Sequence, residues 1–134
     1  MKGLRSLVLL AVLAIAAGSV ADAADRHTTA TLSSVNGSGI SGTVELTALA
    51  HGTQIVVRAE GLTPGTQYVS LYYDNGTCEL EPYSPEDVIG EYTANAAGRA
   101  VVTGKADDDL DEINSVSVRL KSDFSLQACA AVTH

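Results

Sequence analysis

Three histidines, two cysteines, five tyrosines and one run of acids are the residues of this chain that could do chemistry. His27, His51 and His134 stand far apart, and no pair has the close spacing of a zinc or copper motif. Asp107-Asp108-Asp109-Leu110-Asp111-Glu112 offers hard oxygen donors, and Asp107, Asp109 and Asp111 repeat the first ligand spacings of a calcium loop. The Gly and the bidentate Glu that complete an EF-hand are missing. The run therefore reads either as a calcium site or as a solvated turn that keeps a sheet edge from aggregating. No nucleophile has a recognisable base, and no glycine-rich phosphate loop follows a strand, so no catalytic residue is assigned. Asn36-Gly37-Ser38 and Asn75-Gly76-Thr77 match the glycosylation sequon and read equally as Asn-Gly turns.

The framework that must position these residues is small. A chain of 134 residues with one Phe and no Trp builds one core, made of Val, Leu, Ile and Ala. Lys2 and Arg5, the apolar run from Leu7 to Ala17 and the small residues after it form the three regions of a secretory signal peptide. Ser19-Val20-Ala21 and Ala21-Asp22-Ala23 both fit the cleavage pattern, so the mature chain is expected to begin at Asp22 or Ala24. The reading is a signal peptide over 1–23 and a single domain over 24–134, with no membrane span after cleavage. Sixteen Asp+Glu against eight Lys+Arg give a net charge of −8, which repels phosphate backbones and anionic lipid and excludes a nucleic-acid partner. Export means a secreted or periplasmic protein in an oxidising compartment. There Cys78 and Cys129, the only cysteines, are expected to pair. Closing a loop of about 50 residues is worth roughly 4 kcal/mol in the chain-entropy account.

Beyond the leader, apolar residues recur at period two between Gly, Pro and Asn-Gly punctuation, which predicts an all-β chain. The expected strands are 27–35, 40–48, 53–60, 66–73, 88–94, 98–104, 113–121 and 126–132. Eight short strands on so short a chain imply a Greek-key β-sandwich or flattened barrel. Thr63-Pro64-Gly65 carries the residues of a type II turn. Alternation assigns Val69 and Leu71 to the core face of their strand, with Tyr68, Ser70 and Tyr72 outward. Likewise Val116, Val118 and Leu120 point inward and Arg119 outward.

These residues resemble the copper/zinc superoxide dismutase family. Gly61-Leu62-Thr63-Pro64-Gly65, leading into a strand, Asp74-Asn75-Gly76-Thr77 and Cys78, is similar to the family's turn, histidine strand and first disulfide cysteine. Ala128-Cys129-Ala130-Ala131-Val132 resembles its C-terminal cysteine segment. Gly42-Thr43-Val44, Thr93-Ala94 before Gly98, and Ser115-Val116-Ser117-Val118 stand in the family's order, so the resemblance spans nearly the whole mature chain. Chordin-type repeat domains share the Gly-Leu-Thr-Pro-Gly turn and are a further candidate for the first half.

The resemblance implies a metal centre whose ligands are absent. Aligned on Gly65, the two strand histidines that bind copper in the family fall on Ser70 and Tyr72, and the later copper histidine falls on Arg119. The structural histidine falls on Gln67 and the substrate-guiding Arg on Leu126. The zinc loop shrinks to the histidine-free stretch between Cys78 and Val88, and the long charged loop to Lys121–Gln127. A redox copper needs imidazoles, and a fixed cation at a ligand position repels it. The protein so implied is a superoxide dismutase-like β-sandwich with no metal and no cofactor, acting as a binding or structural module rather than an enzyme. Its partner is a protein or a small molecule. A divergent extracytoplasmic dismutase with other ligands and a calcium-dependent surface domain are the competing readings. Tyr68, Tyr72 and Arg119, brought together on the former metal face, make the candidate interaction patch, with Arg119 over a tyrosine ring or beside a carboxylate. The alternative is that the tyrosines cover a sandwich edge.

Overall fold

The fold is that of a computed structural model whose described residues are 26–82 and 87–134. The expected leader, both cleavage sites and Tyr83 lie outside them. The strands are β1 (His27–Ser34), β2 (Ser41–Ala48), β3 (Thr53–Glu60), β4 (Gln67–Tyr73), β5 (Val88–Thr93), β6 (Ala100–Ala106), β7 (Ser115–Leu120) and β8 (Leu126–Ala131). A turn of 3₁₀ helix, Leu110–Glu112, precedes β7. Each expected strand is present. The largest shifts are at the starts of β6 and β7 and at the end of β6, and the two starts have local causes. Asn95 Oδ1 accepts from the backbone N–H groups of Ala97 and Arg99, which makes that stretch a turn. Ile113 closes the 3₁₀ helix instead of opening β7.

All pairings are antiparallel, in the order β5-β4-β7-β8-β1-β2-β3-β6. The sheet doubles over at β1, which pairs with β2 through His27–Leu32 and with β8 through Ser33 and Ser34. The two end strands then meet, so the sandwich is a nearly closed barrel. Glycine makes that approach possible: a Cβ on Gly104 would lie 2.3 Å from the Ile89 carbonyl oxygen, and one on Gly90 would lie 2.6 Å from a Val102 methyl. Covering both edges removes the exposed backbone that invites strand addition.

The turns match their residue types. Asn36 and Gly37 both adopt positive φ and join Val35 to Ser38 through a 3.2 Å backbone bond. Thr66 N–H donates to Thr63 C=O, with Gly65 at φ 82°, as a type II turn requires. Between the layers lies one core, in which Val44 and Leu46 of β2, Ile55 and Val57 of β3, and Val116 and Val118 of β7 are almost fully buried. A second, smaller cluster lies on the other face of β4, β7 and β8, where Val69, Leu71, Tyr73 and Cys78 pack beneath two loops with Phe124 and Leu126.

Closure at the glycine crossing predicts an asymmetry between neighbours on β6. Gly104→Ala is expected to cost about 1–3 kcal/mol through overpacking against β5. Val101→Ala, on the exposed side, should stay within about 0.5 kcal/mol of the parent in urea melts.

Candidate functional site

β4 is the central element, and six of its seven residues are buried because both of its faces are covered. Tyr68, Ser70 and Tyr72 stand opposite Leu120, Val118 and Val116 and point into the main core. Val69, Leu71 and Tyr73 stand opposite Arg119, Ser117 and Ser115 and point the other way. Tyr68, Tyr72 and Arg119 retain 2%, 5% and 6% of their surface. The expected open patch therefore does not exist, and its members lie on opposite faces of the sheet. Alternation separates the faces of a strand correctly but does not say which is inward when both are buried. Val118 keeps its expected core position.

Each tyrosine of the inner face has a partner suited to burial. Tyr68 stacks on Tyr92 with centroids 6.2 Å apart, and its hydroxyl accepts from the Thr63 N–H at 2.9 Å. The Ser70 and Tyr92 hydroxyls are 2.7 Å apart. Burial pushes the Tyr92 phenol up to about 12. Burial also raises Tyr72 to about 12, with help from the negative field of Asp108, Asp87 and Asp107. Both phenols are therefore neutral at physiological pH.

The outer face is organised by Arg119. Its Nε–H donates to the Tyr73 hydroxyl at 2.9 Å, one terminal nitrogen donates to the Cys78 carbonyl at 2.7 Å, and the other donates to the Phe124 carbonyl. The Tyr73 hydroxyl, which accepts from Arg119, also lies 2.7 Å from Ser117 Oγ. The guanidinium carbon is 5.9 Å from the Tyr73 ring centroid, at the outer limit of a cation–π contact, so the hydroxyl bond is the stronger tie. Ser115 Oγ accepts from the Cys78 N–H at 3.0 Å and donates to the Asn75 carbonyl. Cys78 and Cys129 form the expected disulfide, with Cα atoms 6.0 Å apart. The Cys78 loop (74–82) and the Phe124 loop (121–125) thus both fold over this face. Sequence reasoning did not single out Tyr73, Ser115, Ser117 or Phe124 as site residues. Their signal was the polar alternation Ser115, Ser117, Arg119, which reads as a solvated face unless a covering loop is known.

Asp107, Asp109 and Asp111 are exposed on a turn whose work is structural. Glu112 accepts from the Asp109 N–H at 3.0 Å, Thr53 donates to the Asp108 carbonyl, and Leu110 is driven into the core. Asp108 crowds with Asp74, Asp87 and Tyr72 around a cavity of about 110 Å³. Desolvation, followed by the charges of Asp74, Glu112, Asp87 and Asp107, holds its carboxyl above the usual range. His27 and His134 line one cleft with Asp111, a proximity invisible in sequence, while His51 is exposed in a turn. His134 Nε2 lies 2.9 Å from the Ile113 carbonyl and donates to it. Among the described residues no three His, Cys, Asp or Glu side chains are grouped to hold a metal ion.

An eight-stranded antiparallel sandwich with a disulfide tying the loop after β4 to the last strand is a superoxide dismutase-like fold. Among solved structures it is similar to Cu/Zn superoxide dismutase from Brucella abortus, with a TM-score of 0.60 at 18% identity, over 81% of this chain and 100% of that one. No family model matches the chain, and no curated protein does.

A copper centre, which this fold class implies, needs ligands that share a face. Ser70 and Tyr72 open onto the main core and Arg119 onto the opposite side, so the three positions aligned by sequence cannot form one site. Opposite and beside Arg119 on its own face stand Val69 and Leu71, which have no lone pair to offer. An arginine is permanently protonated and has no acceptor. These residues do not fit the group.

The buried donors of Arg119 and the crowding at Asp108 each set a measurable stability. Arg119→Ala should cost about 3 kcal/mol or more, because two carbonyls and a hydroxyl lose their donor in a buried site. That exceeds the roughly 1–3 kcal/mol of Val118→Ala, and urea melts rank the two. For Asp108, a raised folded-state pKa means that its charge lowers stability above that pKa, and that this penalty fades as pH falls through it. Asp108→Asn should raise Tm at neutral pH, and calorimetry should show the gain vanishing below the ordinary carboxylate value of 3.8.

Proposed function

We propose that this chain is an exported domain of superoxide dismutase-like fold that works without bound metal as a non-catalytic binding or structural module. The observation that carries the reading is Arg119, which stands where the sequence resemblance puts a copper histidine and is a buried cation whose donors are committed to Tyr73, Cys78 and Phe124. A guanidinium so held neither ligates a metal nor moves aside for one without leaving buried acceptors bare.

Export is supported by the charged, apolar and small-residue regions of 1–23 and by the disulfide, which persists only where thiols are not kept reduced. The acidic balance supports a protein or small-molecule partner over nucleic acid. Among the described residues no helix is long and apolar enough to cross a membrane.

Protein purified without added metal is expected to contain no stoichiometric copper, zinc or calcium and to show no dismutase activity after loading with copper and zinc. Copper-dependent activity that a chelator abolishes would replace this reading with that of a divergent dismutase. Stoichiometric calcium, lost on Asp107→Asn with Asp109→Asn, would replace it with that of a calcium-dependent surface domain. Elemental analysis with a parallel activity assay separates the three.

A further inference from the structure

The chain holds two Asn-Gly pairs, Asn36-Gly37 and Asn75-Gly76, alike in sequence and opposite in setting. An Asn followed by Gly can react with its own backbone. The nitrogen of the next residue closes a five-membered ring on the side-chain amide carbon, and a Gly there carries no side chain to block the approach. In a folded protein the reaction depends on how tightly the amide and that nitrogen are held.

At Asn75 they are held tightly. Its Oδ1 accepts from the Thr77 N–H at 3.0 Å, the Thr77 hydroxyl at 3.3 Å and the Glu79 N–H at 2.9 Å, and its Nδ2 donates to the Glu79 carbonyl at 3.0 Å. The backbone is pinned as well, because the Asn75 carbonyl accepts from Ser115 Oγ and the Asp74 carbonyl from Asn114 Nδ2. Turning this amide onto Gly76 would break its side-chain bonds together. At Asn36 the amide is exposed and has a single contact, from Nδ2 to the Leu126 carbonyl at 3.5 Å, beyond the usual range of a hydrogen bond. The Gly37 N–H enters no hydrogen bond among the described residues. A Cβ on Gly37 would meet nothing within 4 Å, so the ring has open space in which to form.

We propose that Asn36-Gly37 is a site of spontaneous backbone modification and that the fold protects Asn75-Gly76 from the same fate. The Gly37 nitrogen gives up its proton and attacks Asn36 Cγ, the Cγ–Nδ2 bond breaks, and Nδ2 leaves as ammonia with that proton. Water then opens the cyclic imide. Addition at Cγ leaves an aspartyl residue at position 36, and addition at the backbone carbonyl carbon leaves an isoaspartyl residue whose main chain runs through Cβ and Cγ. Either product adds one negative charge to a chain already at −8 and removes the donor that faces the Leu126 carbonyl. The isoaspartyl form also lengthens the tight turn by one carbon. This turn lies at the seam where the sheet doubles over. The Val35 N–H at 2.9 Å and Ser38 Oγ at 2.6 Å both donate there to the Gln127 carbonyl of β8, next to the short pairing of β8 with Ser33 and Ser34.

The test incubates the purified protein in mildly alkaline buffer, once folded and once reduced and unfolded in urea. Peptide mapping by mass spectrometry follows the conversion of amide to acid at each Asn with time, and circular dichroism confirms that the folded sample keeps its sheet. In the unfolded chain the two pairs are expected to convert at comparable rates, since each is an Asn-Gly followed by a hydroxyl residue. In the folded protein Asn36 is expected to convert about tenfold or more faster than Asn75, the factor that one to two net hydrogen bonds set. A ratio of the two rates that is the same in the folded and the unfolded chain overturns the proposal. So does an Asn36 amide that survives in the folded protein while the unfolded chain loses it.

Discussion

A guanidinium removed from water must find acceptors, and on the β4–β7–β8 face two of the three are backbone carbonyls brought from elsewhere in the chain. Arg119 obtains a hydroxyl from the neighbouring strand and carbonyls from two loops, all three of them neutral acceptors. The rest of the outer face is subordinate to that demand. Tyr73 must turn a lone pair toward the guanidinium, the backbone at Cys78 and Phe124 must turn into the left-handed region, and Ser115 must receive the Cys78 N–H that faces inward. The disulfide secures one of these loops covalently, and the small apolar cluster of Val69 and Leu71 fills the space beneath. A second core is what results when a charged side chain draws two loops over a sheet face.

Both irregularities in the pairing of these strands lie next to this arrangement. The β7–β8 register shifts between Val118 and Arg119, leaving Gln127 as the extra residue on β8, and the β4–β5 register shifts between Ser70 and Leu71. A bulge re-aims the side chains on either side of it and sharpens the local twist. The first shift brings Leu126 opposite Arg119, and the second places Ile89 where its carbonyl meets Gly104 across the closing edge. Barrel closure and the buried cation therefore use the same device in neighbouring strands.

Charge is distributed unevenly over this frame. The loops after β4 and β6 bring Asp74, Asp87, Asp107 and Asp108 into mutual repulsion beside Tyr72, at the end of the sandwich where His27, His51 and His134 also lie. The buried cation sits in the middle of the β4–β7–β8 face, with neutral partners. A guanidinium has five donors and no acceptor, so Arg119 offers a metal no ligand there. The fold is shared with the Brucella abortus enzyme at 18% identity, and identity that low carries architecture without chemistry.

Local rules made much of this molecule legible before folding. Period-two alternation located all eight strands, Asn-Gly and Pro-Gly marked two turns, and the even cysteine count in a chain expected to be exported paired Cys78 with Cys129. The absence of imidazoles at the family's positions was also readable residue by residue. What alternation could not decide was which face of β4 looks inward, because Tyr68, Ser70 and Tyr72 and the set Val69, Leu71 and Tyr73 are all buried, by different layers. A strand's own residues encode the separation of its faces. Which face becomes the core depends on loops distant in sequence, and those loops were drawn over Arg119 by a need for acceptors that appears only once the chain has folded. The same one-residue ambiguity put Ser70 and Tyr72, rather than Val69 and Leu71, beside Arg119 in the sequence alignment. Only the β4–β7 register, a property of two strands at once, resolved it.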